Sequence, residues 1–283
     1  MSLAAERTSS VILFNVPRRG AAFPWQGARI NKEHLLASGL LFFAVSAPSG
    51  YIDLVSGLPL IGPFGVTSSV KAPILVPTPL GMAWQFPKVA NGTGVYFQSQ
   101  PNAAFAPPTN VGMTIAAGIT NVAGFLGSPS TNNYIAEVMN GATPNYNTGL
   151  MAVSLLATAE AGGAVASETS GGSLAWANNA ININLVIGNH VLAGSCANGQ
   201  GGATNILSTA DNGATASSGN TYGAGFFEFL NLDTVFIGAP GTGIACGRAV
   251  NWVGYWQPML SAALLTRLTT PPGPPTGLLT RRD

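Results

Sequence analysis

Charged side chains are scarce in this sequence. Lysine, arginine, aspartate and glutamate make up 7% of its 283 residues and leave a formal net charge of +1, whereas an ordinary soluble domain has about 25% charged residues. The 11 lysines and arginines are spread along the chain, so we expect no nucleic-acid binding. Hydrophobic residues reach 47%, which excludes a disordered chain. Because a nearly neutral surface repels its copies weakly, we expect other subunits to cover much of it; a neutral monomer is the alternative.

The usual catalytic residues are few and scattered. His34 and His190 are the only histidines, and a strand histidine bonded to backbone or solvent explains His190 better than a Ser-His-Asp triad does. Glycoside hydrolysis needs two carboxyl groups about 5–10 Å apart, and the 10 acidic residues do not have the spacing that would place such a pair on one strand. The sequence therefore predicts that the chain is not an enzyme.

Metal ligands are equally sparse. Cys196 and Cys246 are the only cysteines and have no zinc-site spacing. They either form a disulfide or, as we favour, remain two buried thiols of a protein made in a reducing cytosol. Calcium prefers several carboxylates among its oxygen ligands, and the loops of this chain carry mainly asparagine and serine. We expect no metal and no cofactor.

Long hydrophobic runs are also missing. The longest apolar stretches, Leu35–Val45 and Gly149–Ala159, are well short of the ~20 residues that a membrane-spanning helix needs. Met1–Arg19 surrounds a short apolar run with charged residues, which is unlike a secretory signal. We expect no membrane contact.

The sequence contains instead a series of short alternating strands. In Gly247–Trp256, residues Val250, Trp252 and Trp256 share one face because strand side chains alternate at a period of two. Comparable segments are separated by Gly, Asn, Ser and Pro clusters at spacings of roughly 10–15 residues, which indicates an all-β sandwich. The predicted central strands are Thr114–Ile119, Tyr134–Met139, Leu150–Leu156, Ser173–Trp176 and Ile181–Ile187.

The closing segment Thr234–Leu268 has a distinctive order. A short strand and a Gly-rich turn precede the aromatic strand, and Leu260–Leu268 then has leucines at helical spacing behind Ser261, a helix N-cap residue. This order resembles the end of LamG-like, concanavalin A-like jelly-roll domains, and the likeness extends over residues 36–268. Its further motifs are Ser38–Phe43, Gly94–Phe97, Met113–Ile119, Leu150–Ala157, Asn189–Gly194 and Ala203–Ser217. The resemblance implies an all-β, two-sheet antiparallel jelly-roll sandwich.

The two ends of the chain differ from this central region. We divide the chain into an extended docking arm at residues 1–30, a LamG-like sandwich at 31–268 and a proline-rich extended tail at 269–283. The arm is apolar and broken by proline, as in segments that bind a neighbouring subunit by strand addition or in a groove. The tail composition favours a polyproline conformation. The candidate docking residues are Val11, Phe14, Phe23 and Trp25.

The resemblance also implies a biological setting. Domains of this family without an evident active site occur in tailed bacteriophages as capsid decorations, head fibres, spikes and tail-fibre modules. With the uncharged surface and the terminal arms, this implies a virion structural protein that is assembled in the host cytoplasm and contacts other virion proteins. We expect a homo-oligomer, and specifically a trimer.

The alternative function is a lectin-like, carbohydrate-binding module for a host or environmental polysaccharide. Sugar binding needs an exposed aromatic side chain with amide groups beside it. Trp176, followed by Asn178 and Asn179, and Tyr222 in a Gly-rich stretch offer this combination. Core packing or loop filling is the competing explanation of the two aromatic residues.

Overall fold

The computed structural model describes most of the predicted domain. Backbone and side chains are described for residues 23–25, 27–87, 94–108, 111–121, 134–142, 144, 188–196, 231–240, 247–269, 274–275 and 277–280. The backbone alone is described for residues 133, 150–155, 161–170, 173–182, 197, 206–210, 214–218, 221–222, 244–245 and 281.

Nearly all of the regular structure consists of strands. In chain order they are β1 (Ala28–Ile30), β2 (Leu40–Ala47), β3 (Gly50–Asp53), β4 (Ile61–Phe64), β5 (Ile74–Thr78), β6 (Gly81–Gln85), β7 (Tyr96–Gln98), β8 (Gly112–Asn121), β9 (Asn133–Met139), β10 (Leu150–Leu155), β11 (Ala161–Ser170), β12 (Ser173–Asn182), β13 (Gly188–Ala197), β14 (Ile206–Ala210), β15 (Ala214–Ser218), β16 (Thr221–Tyr222), β17 (Thr234–Gly238), β18 (Ile244–Ala245), β19 (Ala249–Trp256) and β20 (Leu279–Arg281). A single α-helix, α1 (Ala262–Thr269), occurs in the described part of the chain. Short 3₁₀ turns lie at Leu35–Ala37 and Ala103–Phe105. A search of the described residues finds no helix long and apolar enough to cross a membrane.

The strands form two nine-stranded sheets and a small two-stranded sheet. In the first sheet the order is β15-β14-β13-β8-β19-β2-β3, and the β5-β6 hairpin joins β19. In the second sheet the order is β16-β12-β11-β10-β9-β17-β7-β4, with β18 beside β9. The recorded pairs are antiparallel apart from β18 with β9. The predicted all-β, two-sheet antiparallel sandwich is therefore confirmed.

The main hydrophobic core lies between the two large sheets. Alternate residues of β8, including Met113, Ile115 and Ile119, are fully buried in it. Tyr255 of β19 also enters this core, and its hydroxyl donates a hydrogen bond to the carbonyl of Phe105 (2.6 Å). Burial raises the pKa of the Tyr255 hydroxyl, so this group stays protonated and acts as a donor. The second sheet contributes Phe97, Ala136, Val138, Val235 and Ile237.

A second core covers the opposite face of the first sheet. There Phe43 stacks on Trp252, with ring centroids 5.4 Å apart, and the indole of Trp256 donates to the carbonyl of Leu36 (2.7 Å). Helix α1 starts directly after Ser261, whose side chain accepts from the Leu264 N–H (3.4 Å), as its predicted capping role requires. The helix seals this core with buried leucines, which are Leu265 and Leu268.

The described parts of the predicted arm and tail belong to the same second core. Strand β1 pairs with β20, and Ile30 is the register partner of Leu279. Asn31 fixes this contact twice, since its backbone N–H donates to the Leu278 carbonyl (2.7 Å) and its side-chain amide to the Gly277 carbonyl (3.0 Å). In this structure residues 27–30 and 277–281 therefore lie on the sandwich rather than extending from it, because their apolar side chains cover the tryptophan layer.

Candidate functional site

The second sheet has one face against the main core and an opposite face, which we call the outer face. In the pairing of β17 with β9, Val235 lies beside Val138 in the core. The next pair, Phe236 with Glu137, faces the other way because side chains alternate along a strand. Phe236 and Glu137 thus mark the outer face at the centre of the sheet.

The strand register relates the outer face to the residues singled out in the sequence. Two rows of paired positions run across four neighbouring strands: Glu137, Ala152, Val165 and Asn178 form one row, and Met139, Leu150, Ser167 and Trp176 form the other. Tyr222 is the register partner of Trp176. Trp176, Asn178 and Tyr222 consequently share the outer face. Asn179, the next residue of β12, pairs with Ala164 and alternates with Asn178 in the register, so its position belongs to the opposite face of the sheet.

An aromatic ladder occupies the opposite end of the outer face. Phe64 of β4 and Tyr96 of β7 have ring centroids 5.3 Å apart, and Tyr96 and Phe236 are 5.4 Å apart. Exposure falls along the ladder: Phe64 is 36% exposed, Tyr96 is intermediate and Phe236 is fully buried. Partial burial raises the pKa of the Tyr96 hydroxyl, which therefore remains a hydrogen-bond donor at neutral pH.

The residues of this ladder are not among the site residues predicted from the sequence. Phe64 follows a proline in a segment dense in glycine and proline, and Tyr96 lies in a short segment interpreted as a core strand. Alternation within Gly94–Phe97 places Tyr96 and Phe97 on opposite faces, which was the available signal. The pairing of β4 with β7 that brings Phe64 onto Tyr96 has no counterpart in the sequence pattern.

Glu137 is an unusual residue for the centre of a sheet. Its side chain is fully buried, and neither carboxyl oxygen forms a hydrogen bond with a residue that the structure describes. Its neighbour on the same face of β9, Met139, and its cross-strand neighbour Phe236 are apolar. Burial in these surroundings holds the pKa of the Glu137 carboxyl well above its usual range, so the carboxyl favours its protonated, uncharged form.

The predicted docking residues fall into two groups. Val11 and Phe14 lie outside the described residues. Phe23 is partly buried, and Trp25 is partly buried against the second core, beside Ala28 and Ile30. Trp25 therefore contacts the chain's own sandwich in this structure. The virion role, the virion location and the trimer stay predictions.

The acidic residue Asp53 and the cysteine Cys196 both have structural surroundings. Asp53 is buried, and its carboxylate accepts from the N–H groups of Phe43, Val55 and Ser56 and from the Ser56 hydroxyl (2.6–3.1 Å), which shows that it stabilises a turn. Cys196 is buried in β13, whereas Cys246 lies outside the described residues, so their pairing stays open. Within the described ranges, no group of three or more His, Cys, Asp or Glu side chains lies close enough to hold a metal ion.

Comparison with known proteins gives matches in structure alone. No protein-family model and no curated protein matches the chain. Domain 4 of AbnA, a GH43 extracellular arabinanase from Geobacillus stearothermophilus solved in complex with arabinotriose, aligns with a TM-score of 0.50 and 12% identity, over 82% of this chain and 99% of that one. Trypanosoma rangeli sialidase aligns with a TM-score of 0.49 and 16% identity, and the chain spans 32% of its length. The botulinum neurotoxin serotype G binding domain aligns with a TM-score of 0.42 and 10% identity, over 81% of this chain and 50% of that one.

These similarities correct one prediction and confirm another. The jelly-roll, concanavalin A-like part of the sequence resemblance is confirmed, since domain 4 of the arabinanase, which aligns with 82% of this chain, is a β-sandwich domain. The prediction that the chain is not an enzyme is wrong as a flat exclusion, because the chain aligns with a domain of a GH43 arabinanase. At 12–16% identity the likeness shows the fold and assigns no activity. The error arose because missing motifs in a sequence say little about residues that the fold brings together.

Proposed function

We propose that the chain is a carbohydrate-binding β-sandwich domain and that its outer face holds the saccharide. The observation that carries this proposal is the register of β12 and β16, which assigns Trp176, Asn178 and Tyr222 to one face. Saccharides are held by aromatic rings against their apolar faces and by amide or hydroxyl groups at their edges. The outer face supplies both kinds of group.

The outer face has two aromatic platforms, one at each end of the second sheet. Six strand spacings separate β7 from β16 in the second sheet, which corresponds to about 29 Å at ~4.8 Å per strand. The exposed Phe64 and half-buried Tyr96 lie at one end of this span, and Trp176 and Tyr222 at the other. Because Phe236 and Glu137 at the centre of the face are fully buried, a saccharide is held at one of the two platforms and does not cross the strands between them.

The saccharide that fits best is uncharged. Glu137 is the acidic residue among the described side chains of the outer face, and its carboxyl favours the neutral form. No lysine or arginine lies in the two central rows of paired positions. Domain 4 of the arabinanase, 99% of which aligns with this chain, was solved with arabinotriose, a neutral oligosaccharide, and this supports the choice of neutral arabinan fragments as the first probe.

Two adjacent asparagines provide a matched test. Asn178→Ala removes an amide from the outer face and is expected to weaken retention on neutral polysaccharide, whereas Asn179→Ala changes the opposite face and is expected to leave retention unchanged. Trp176→Ala and Tyr222→Ala should each abolish retention without lowering the melting temperature. Affinity electrophoresis in gels that contain arabinan, xylan or glucan measures retention, and differential scanning fluorimetry measures folding.

Equal retention of all four variants and the unaltered chain would refute the assignment of the face. A large loss of melting temperature in the two aromatic variants would identify Trp176 and Tyr222 as packing residues.

A further inference from the structure

A cavity of about 560 Å³ lies on the opposite side of the molecule from the outer face. It is bounded by the chain that follows β1, by the 3₁₀ turn at Leu35–Ala37, by the start of β2 and by the turn after β3. Its lining includes the two cationic residues Arg29 and Lys32 and the aliphatic residues Ile30, Leu40, Leu54 and Val55. Its volume falls in the range of small-molecule sites, roughly 300–1,000 Å³.

Two rigid segments form this cavity. On one side, Asp53 fixes the turn that carries Leu54 and Val55 by accepting from the Val55 N–H (3.0 Å) and from the Phe43 N–H (2.9 Å). On the other side, the hydrogen bonds of Asn31 to residues 277 and 278 fix the segment that carries Arg29 and Lys32. A ligand would therefore meet a preformed site and would lose little affinity to ordering the protein.

The charge of the cavity is unusual for this chain. Arg29 and Lys32 both line it and are exposed, and neither forms an ion pair in the part of the chain that the structure describes. The carboxylate of the nearby Asp53 is turned into its own turn and fully occupied by N–H and hydroxyl donors. Two unpaired cations at one opening favour a ligand with a negatively charged head group.

The walls below these cations are aliphatic. Ile30, Leu40, Leu54 and Val55 provide apolar surface, and Val55 remains 44% exposed. The described lining contains no aromatic ring and no side-chain amide, the groups that hold sugars on the outer face. An alkyl chain fits these walls better than a saccharide does, because its burial is favourable at about 25 cal/mol per Å² and needs no polar partner.

We propose that this cavity binds a free medium-chain alkyl carboxylate. The carboxylate lies between the Arg29 guanidinium and the Lys32 ammonium, and the alkyl chain extends over Ile30, Leu54 and Val55 toward Leu40. The site is separate from the saccharide face and does not depend on the proposed function.

Isothermal titration of the full chain with sodium decanoate, below its micelle concentration, tests this site. Decanol supplies the alkyl chain without the charge, acetate supplies the charge without the chain, and both should bind at least about tenfold more weakly than decanoate. The double variant Arg29→Ala/Lys32→Ala should weaken decanoate binding by about tenfold, as expected for two partly exposed ion pairs. Lys71→Ala, which removes an exposed lysine elsewhere, is the matched control and should leave affinity unchanged.

A second variant tests the apolar wall without touching the cations. Val55→Asp places a negative charge beside the ligand at an already exposed position and should abolish decanoate binding with the melting temperature preserved. Equal affinity for decanoate and decanol, unchanged affinity of the double variant, or no decanoate binding would each overturn the proposal. So would binding to vesicles of anionic phospholipid in place of monomeric decanoate, because a lipid surface is a different partner.

Discussion

Glu137 predicts an unusual pH dependence of stability. Its carboxyl is fully buried without a hydrogen bond, and burial raises its pKa in the folded chain above the ordinary glutamate value of 4.5. Below pH 4.5 the group is protonated in both the folded and the unfolded chain, so it adds no pH dependence. As the pH rises above 4.5, the unfolded chain releases this proton while the folded chain retains it. The free energy of unfolding therefore falls with rising pH until the folded-state pKa is reached, and then becomes level.

The size of this effect follows from the linkage of one proton. The free energy of unfolding should decrease by about 1.4 kcal/mol for each pH unit between the unfolded and folded pKa values. Glu137→Gln keeps the shape of the protonated side chain and removes the titration. The variant should match the unaltered chain near pH 4 and exceed it by about 1.4 kcal/mol for each pH unit above 4.5 within that window. The difference between the two proteins isolates Glu137 from the other acidic groups, which contribute equally to both.

Urea unfolding at half-unit steps from pH 4 to pH 8, followed by tryptophan fluorescence, measures this difference. Glu33→Gln, which changes an exposed glutamate, is the control and should show no growing difference from the unaltered chain. If the free energies of unfolding of Glu137→Gln and the unaltered chain differ by a constant amount across the range, the pKa of the Glu137 carboxyl is not raised in the folded protein. That result would contradict its burial without a hydrogen-bond partner. A Glu137→Gln variant that loses stability at every pH would mean that an ionised carboxylate forms essential contacts.

Three further substitutions test the packing of the sandwich by urea unfolding at neutral pH. Gly118→Ala places a methyl group against the indole nitrogen of Trp252 and should cost about 1–3 kcal/mol; unchanged stability would mean that the tryptophan layer shifts freely. Asp53→Ala leaves several turn N–H groups without an acceptor and should cost about 3 kcal/mol, whereas a neutral result would show that water replaces the carboxylate. Tyr255→Phe removes the buried hydrogen bond to Phe105 and should cost about 1–2 kcal/mol; a gain in stability would contradict that bond.

The alternating segments allowed much of the sandwich to be predicted. The short strand predicted at the start of Thr234–Leu268 is β17, the predicted strands Thr114–Ile119 and Tyr134–Met139 lie in β8 and β9, and β10 covers Leu150–Leu155 of the predicted Leu150–Leu156. These segments have apolar residues at a period of two, which ties each strand to a core. The order of motifs then identified the fold class, because each motif constrains where its neighbours can pair.

Strand β11 shows where this reasoning ends. Ala161–Ser170 is a ten-residue strand that consists mainly of glycine, alanine, serine and threonine, and such residues show no clear apolar alternation. The sequence pattern therefore predicts no strand at this segment, and it does not indicate whether Trp176 and Glu137 share a face of the sheet. The residue types of Trp176, Asn178 and Tyr222 suggested a sugar site, but their common face follows from the pairing through β11, which only the structure supplies.

The second core offers another explanation of the low charge content, which suggested from the sequence that other subunits cover much of the surface. Every residue of β8 and β19 is buried, because the first sheet is covered on one face by the second sheet and on the other by α1, β1 and β20. A sheet enclosed on both faces needs small or apolar residues at consecutive positions, and it leaves few sites for charged side chains.

The few polar residues in these strands are bonded internally: the Thr114 and Ser195 hydroxyls lie 2.6 Å apart, and the Thr120 hydroxyl donates to Asn251 (2.7 Å). Part of the 47% hydrophobic content is thus used within one chain. The low charge therefore does not by itself require an oligomer. The burial of the first sheet between two other layers, with Phe43 stacked on Trp252 in one of them, accounts for it within a single chain.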